Sequence, residues 1–319
     1  MGRKKEAVEN LIVALNAVLP MFLMIGLGCL ARVWKMISDT AVRQMNSLCF
    51  RMFMSVMLFY NVYSSDLRAA LNWKLIAFCC GGIFAEFFVG MALIPRLEKS
   101  APARGVMLQA FFRTNVVLLG VSMTTSLFGA DQIGEIVILS AVVVPLINIL
   151  SVIALEMYQE GQASARRMAK GVVTNPLVIA ASIGIFMAAT GLRLPGILDS
   201  AAHSIGTAAT PMALVLLGAS LDFSKFGNSL RSALICLAER LAISPAIMIT
   251  IAVLAGFRGV PLAGVMLVFA CPVAVASFTM AVELGGDSDL AGEVVLLTTG
   301  LSCFTLFLWI LLLKNLGLF

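Results

Sequence analysis

Charge is what this sequence has least of. Asp, Glu, Lys and Arg make up only 12% of its 319 residues, while 61% are hydrophobic. A soluble chain carries about 25% charged residues. The deficit excludes a water-soluble globular protein of this length, which could build a core but not the polar surface around it. Histidine is nearly absent, His203 standing alone. The seven cysteines (Cys29, Cys49, Cys79, Cys80, Cys236, Cys271 and Cys303) fall inside apolar runs and form no CxxC pair. They read as small buried apolar residues, and no metal site is expected. HExxH, GxSxG, paired intramembrane aspartates and a Walker A motif are all missing, so no catalytic residue and no ATP hydrolysis are expected. The net charge of +5 is spread over the ends of apolar runs, where it sets orientation and gives no sign of nucleic-acid binding.

What the sequence does have is a succession of apolar runs of about 20 residues, the length a bilayer-spanning helix requires. They lie near 11–34, 41–64, 73–95, 104–128, 132–157, 172–191, 199–221, 229–256, 260–284 and 289–313. The expected fold class is therefore an all-α integral membrane protein of about ten spans. Arg3-Lys4-Lys5 before the first run imitates a leader peptide. The run continues to about Trp34 with no A-x-A-like site, so it is expected to be the first span. Short connections carry turn chemistry at Ile37-Ser38-Asp39, Ser64-Ser65-Asp66, Gly191 to Pro195 and Gly285-Gly286-Asp287. The longest polar stretch, residues 158–171, is expected to be a cytoplasmic linker between two five-span halves, 11–157 and 172–314. An odd number of crossings makes the second half enter from the opposite face, so repeats of this kind must be inverted. Lys and Arg are richest on the face holding Arg32, Lys35, Arg43, Arg96, Lys99, Arg104, Arg166, Arg167, Lys170, Lys225 and Arg231. That face is expected in the cytoplasm, with both termini outside the cytoplasmic membrane.

Charges at bilayer depth cost roughly 2.5–3.5 kcal/mol each, so each needs a reason. Arg51, Glu86, Arg113, Glu239 and Arg240 lie well inside apolar runs. Glu86 near the middle of span three and Glu239-Arg240 near the middle of span eight hold equivalent places in the two halves. They read either as structural pairs, for example Glu86 with Arg51 or Arg113, or as carboxylates that carry coupling charge. Glu283, at a span end, reads as interfacial. Span four contains Phe111-Phe112-Arg113-Thr114-Asn115, and its counterpart span nine contains Ala270-Cys271-Pro272-Val273-Ala274 with Ser277 shortly after. Pro272 removes a helical hydrogen bond and clashes with the preceding turn. Interrupted helices in corresponding positions point to a transport site. Arg113, Thr114, Asn115, Pro272, Val273 and Ser277 are the expected substrate-binding residues. Pro20, Pro145, Pro211 and Pro245 read as simple kinks, and the methionines as packing.

Several of these segments resemble the auxin efflux carrier family of membrane permeases, in its bacterial, malate- or malonate-transporter-like form. Asn175-Pro176-Leu177 with Gly184 is similar to the start of the family's second half. Thr210-Pro211 followed by Leu217-Gly218-Ala219-Ser220-Leu221 resembles its seventh span. Pro272 with Glu283 to Asp287 resembles the ninth span and its exit, and Thr298-Thr299-Gly300-Leu301-Ser302 the last. Arg113-Thr114-Asn115 with Gly120 is similar to the fourth. The resemblance implies two inverted five-helix repeats with broken crossover helices four and nine. It also implies a scaffold of spans 1, 2, 6 and 7, a moving unit of spans 3–5 and 8–10, and often a homodimer, with Gly206, Ala209 and Ala213 offering a small-residue face. The chain departs from the family in span two, where it lacks the usual Pro. In span four Val117 and Ser122 replace the usual Gly and Pro, so a residue-level helix breaker is present only in span nine.

The expected function is secondary active transport of a small organic anion, a carboxylate, by alternating access of the elevator type. Arg113 and helix amino termini would attract the carboxylate. No cofactor is expected, and proton or sodium remains open as the coupling ion. The alternative is an anion channel or ungated facilitator, which needs a continuous polar lining; the polar groups here are isolated at mid-depth.

Overall fold

The computed structural model of the chain describes residues 2–64, 72–129, 132–159, 165–221, 227 and 229–319. The turn expected at Ser64-Ser65-Asp66 extends outside these residues, and Arg68 and Lys225 lie outside them. Among the described residues all regular structure is helical, and no strand occurs. In chain order the helices are α1 (Gly2–Val33), α2 (Asp39–Leu48), α3 (Ser55–Tyr63), α4 (Trp73–Leu97), α5 (Ala101–Phe112), α6 (Val116–Phe128), α7 (Ile133–Met157) and α8 (Ala165–Thr174). They continue with α9 (Pro176–Thr190), α10 (Gly196–Ser220), α11 (Leu230–Ala238), α12 (Ser244–Leu254), α13 (Gly259–Ala270), α14 (Ala276–Glu283) and α15 (Ser288–Asn315). Five stretches (α4, α7, α10, α11 through α12, and α15) are long and apolar enough to cross a membrane, with shorter apolar helices beside them.

Local chemistry sets many boundaries. Asn175 accepts a hydrogen bond from the Leu177 N–H at 2.9 Å while Pro176 occupies the first helical position, so the Asn-Pro-Leu motif is a helix start. Asp287 caps α15 through the Leu290 N–H, and Gly191 ends α9 in the left-handed region at φ 75°. Pro20, Pro145 and Pro211 sit inside continuous helices. The stretch expected as a linker is helical from Ala165, because Ala, Arg, Met and Lys favour a helix even where the pattern is polar.

Three charged residues, Arg51, Glu239 and Arg240, sit on π-helical turns. Cys49–Met54, carrying Arg51, joins α2 to α3, and Glu239–Ile243, carrying Arg240, joins α11 to α12. Such turns are rare and widen the helix locally.

α1 packs along α10, and α3 along α9. At the α1–α10 crossing Gly28 faces the Val215 carbonyl and Gly218 faces the Ile25 carbonyl; a Cβ on either would overlap the opposing backbone. Cys29 Sγ also donates to the Gly218 carbonyl at 3.3 Å. Close backbone approach through small residues replaces the hydrophobic driving force that lipid removes. Gly218→Val should destabilise the protein by about 3 kcal/mol, read as a lower unfolding temperature in detergent, whereas the same change at Gly26, where nothing crowds the site, should be near neutral.

The small-residue face expected to serve a homodimer is occupied within the chain. Gly206 abuts the Met57 backbone, Ala209 accepts from Cys49 Sγ at 3.7 Å, and Ala213 is buried.

Spans four and nine are both interrupted. Between α5 and α6 residues 113–115 leave the helix, with Arg113 extended at ψ 120°. Between α13 and α14 Cys271 is extended at ψ 148°, as expected of a residue before proline. Span four has no proline or glycine at its break; contacts from elsewhere hold it open.

Candidate functional site

The two interruptions meet. The Asn115 N–H donates to the Pro272 carbonyl at 2.9 Å, and the Thr114 hydroxyl to the Leu267 carbonyl at 3.4 Å. Gln109 Nε2 donates to the Ser277 carbonyl at 3.0 Å, and the Val273 N–H to Thr298 Oγ1 at 3.3 Å. These bonds satisfy backbone groups that a broken helix would otherwise bury unpaired.

The ends of the four half-helices separate by sign. α5 and α13 arrive carboxyl end first, leaving carbonyls without helical partners. Arg240, fully buried on its π-turn, donates Nε to the Cys271 carbonyl at 2.9 Å, Nη1 to the Phe111 carbonyl at 3.1 Å and Nη2 to the Val268 carbonyl. One guanidinium thus caps both carboxyl ends, where a cation also opposes the helix dipoles. Behind it, Glu86 Oε2 lies 3.8 Å from Arg240 Nη1, and Ser244 Oγ donates to Glu86 Oε1. Glu239 is neighbour to both, and its Oε2 is buried without a hydrogen bond.

On the other side of the crossing α6 and α14 begin, and their amino ends border a cavity of about 90 Å³. Its wall includes Arg113, Thr114, Asn115 and residues 274–276 from the breaks, Met54, Met57 and Asn61 from span two, and Ala209, Thr210 and Ala213 from α10. Arg113 is 2% exposed and reaches into α7, donating to Ser151 Oγ at 2.7 Å and Asn148 Oδ1 at 2.9 Å. Both partners are neutral, and among the described residues no carboxylate lies within ion-pair reach of Arg113. Its Nε and Asn115 Nδ2 are buried donors with no acceptor. The wall therefore presents an unbalanced cation, unused donors and two helix amino ends, the chemistry that holds an anion.

A neighbouring space of about 550 Å³ shares Met57, Asn61, Val117 and Thr210 with this cavity. It extends past Tyr60, Ser64 and His203, toward the end of the molecule where α3 finishes and α10 begins. There the Tyr60 ring meets the His203 ring edge-on at 5.2 Å. At the opposite end span two is tied to α14. Arg51 reaches Glu283 at 2.7 Å, Ser47 Oγ donates to Glu283 Oε1 at 3.2 Å, and Asn46 Nδ2 donates to the Thr279 carbonyl at 3.2 Å.

Of the residues expected at the site, Arg113, Thr114 and Asn115 line the cavity together. Pro272, Val273 and Ser277 stand at the crossing but off the cavity wall, which Ala274, Val275 and Ala276 supply instead. The expected pairing of Glu86 with Arg51 or Arg113 is corrected: Glu86 pairs with Arg240. Arg51 is not a buried intramembrane charge; its side chain is 67% exposed and pairs with Glu283. Sequence reasoning missed Asn148 and Ser151. Their signal was present, two polar residues one helical turn apart in an otherwise apolar span. It also missed Asn61, which nothing in its local sequence singles out, and gave Thr210 no place at the site although its motif with Pro211 stood out.

Apolar helices long enough to cross a bilayer, packed around a cavity at paired helix breaks, define a multi-pass membrane protein. The sequence matches the family described as membrane transport protein over residues 13–174 and 163–310, and the chain belongs to that family, the auxin efflux carrier family its motifs resemble. It is 24% identical over 296 residues, 92% of this chain and 96% of the relative, to an uncharacterized transporter of Methanothermobacter thermautotrophicus. The protein is a transporter.

Proposed function

We propose that the protein is a secondary carrier for a small organic anion, a carboxylate, working by alternating access in the cytoplasmic membrane. The observation that carries this reading is Arg113: a buried guanidinium whose partners among the described residues are neutral, beside a cavity at the helix breaks. A buried cation left unbalanced is costly, and a carboxylate in the cavity would complete it with Asn115 Nδ2 and the amino ends of α6 and α14. The described spaces open toward one end of the molecule while span two is tied to Glu283 at the other, which favours a carrier over a channel.

The packing supports an elevator. α1, α3, α9 and α10 associate as a scaffold of spans 1, 2, 6 and 7. α4 to α7 and α11 to α15 pack among themselves through the crossing, as a unit of spans 3–5 and 8–10 would. The halves 11–157 and 172–314 each contain one interrupted span in fourth place, the arrangement of inverted repeats with crossover helices. The larger space on one side and the Glu283 ties on the other fit one of two access states. With the basic loops in the cytoplasm the present state faces outward. Glu86 and Glu239 are the groups placed to carry coupling charge, with proton or sodium as the ion.

The test is uptake by proteoliposomes of labelled mono- and dicarboxylates under imposed proton and sodium gradients. Saturable, gradient-stimulated uptake of a carboxylate is expected. Non-saturating flux would favour the channel, and uptake confined to neutral or cationic solutes would overturn the anion site.

A further inference from the structure

The cavity that Arg113 borders has further polar groups in its wall. Asn61, near the end of α3, lines the 90 Å³ cavity, the 550 Å³ space and a third space of about 180 Å³ between α3 and α7. Among the described residues its amide makes no side-chain hydrogen bond, so both its donor and its acceptor are free. Thr210, on α10 beside it, uses its hydroxyl proton on Met57 Sδ at 3.7 Å and keeps its oxygen lone pairs available. The surrounding surface is Met54, Met57, Val117, Ala209 and Ala213. Among the described residues Arg113 is the one lysine or arginine that lines these three spaces. The cavity thus combines a positive charge and helix amino ends at the breaks with neutral hydrogen-bonding groups in an otherwise apolar wall.

Resting on the carboxylate reading above, we infer that Asn61 is the specificity-determining residue. It selects short monocarboxylates that also carry a neutral hydrogen-bonding group, a hydroxyl or carbonyl. The amide can accept from a hydroxyl and donate to it, and Thr210 offers a further acceptor. A plain alkyl chain leaves both amide groups unpaired against an apolar wall. A second carboxylate would bring a second charge to a lining in which, among the described residues, Arg113 is the one lysine or arginine. Both mismatches are penalised by desolvation of groups left unpaired.

The experiment is competition against labelled lactate uptake in proteoliposomes by propionate, lactate, pyruvate and succinate, for the parent protein, Asn61→Leu and Asn61→Ser. Lactate and pyruvate should outcompete propionate and succinate by about ten-fold, the effect of one satisfied buried hydrogen-bonding group. Asn61→Leu should bring lactate and propionate within about two-fold of each other through weaker lactate binding, and Asn61→Ser, which retains a hydroxyl, should keep part of the preference. Binding measured as the shift in unfolding temperature with each acid separates lost selectivity from lost folding. A parent protein that prefers succinate, or an unchanged lactate-to-propionate ratio in both variants, would overturn the role of Asn61 while leaving the anion carrier standing. If no carboxylate competes or binds, both readings fall together.

Discussion

Arg113→Gln should lose carboxylate uptake by roughly 100-fold while the purified protein unfolds at the same temperature or higher. The magnitude follows from removing one partner of a buried charge contact, about 3 kcal/mol. Glutamine keeps a neutral donor toward Asn148 but removes the charge that the cavity leaves unbalanced. A residue whose role is structural would lose stability when replaced. Arg113 has no counter-charge among the described residues and a buried Nε without a partner, so its charge is a cost to the folded state that only a bound anion offsets. Arg113→Lys should retain part of the activity, because the charge stays while the planar fork to Asn148 and Ser151 is lost. Uptake by liposomes and unfolding in detergent, read side by side, decide the matter. Parent-like uptake by Arg113→Gln would remove the anion site.

Arg240→Met should do the opposite kind of damage, with loss of about 3–5 kcal/mol of stability, the range for removing one member of a buried charged network. That is comparable with the whole stability of many domains, about 5–15 kcal/mol, so monodisperse protein should be scarce in detergent. The cause is specific. The three carbonyls of Phe111, Val268 and Cys271 lose their donor at once, and no water replaces it at bilayer depth. Glu86 is left facing nothing positive. Glu86→Gln alone should be much milder, since Arg240 keeps its carbonyls, and combined with Arg240→Met it should restore part of the loss. If Glu86→Gln proves as damaging as Arg240→Met, the ion pair rather than the capping of α5 and α13 holds the crossing together.

The two arginines show how far local sequence reads. Both stood out as charges in apolar runs, and nothing in either run distinguished their roles. Arg240 is spent on three backbone carbonyls, and Arg113 is left with neutral partners, because of what α5, α7 and α13 bring to each. The same limit explains Arg51. It sits in as apolar a run as the others, yet its π-turn aims it outward to Glu283, some 230 positions away in the chain. Asn61 shows the reverse: an ordinary polar residue near a helix end becomes notable only because three spaces meet at it.

What the sequence by itself determined is the membrane class, the all-helical fold and the helix break at Pro272. A charge content of 12% permits no soluble surface, and Pro272 forces Cys271 out of the helix by local sterics alone. The break in span four was decided by the tertiary structure. Residues 113–115 contain no breaker, and an isolated helix would run through them. They unwind because the Pro272 carbonyl and the Arg240 guanidinium satisfy the freed backbone groups better than an intact helix would. Those partners lie on other spans, so only the packed bundle could specify them.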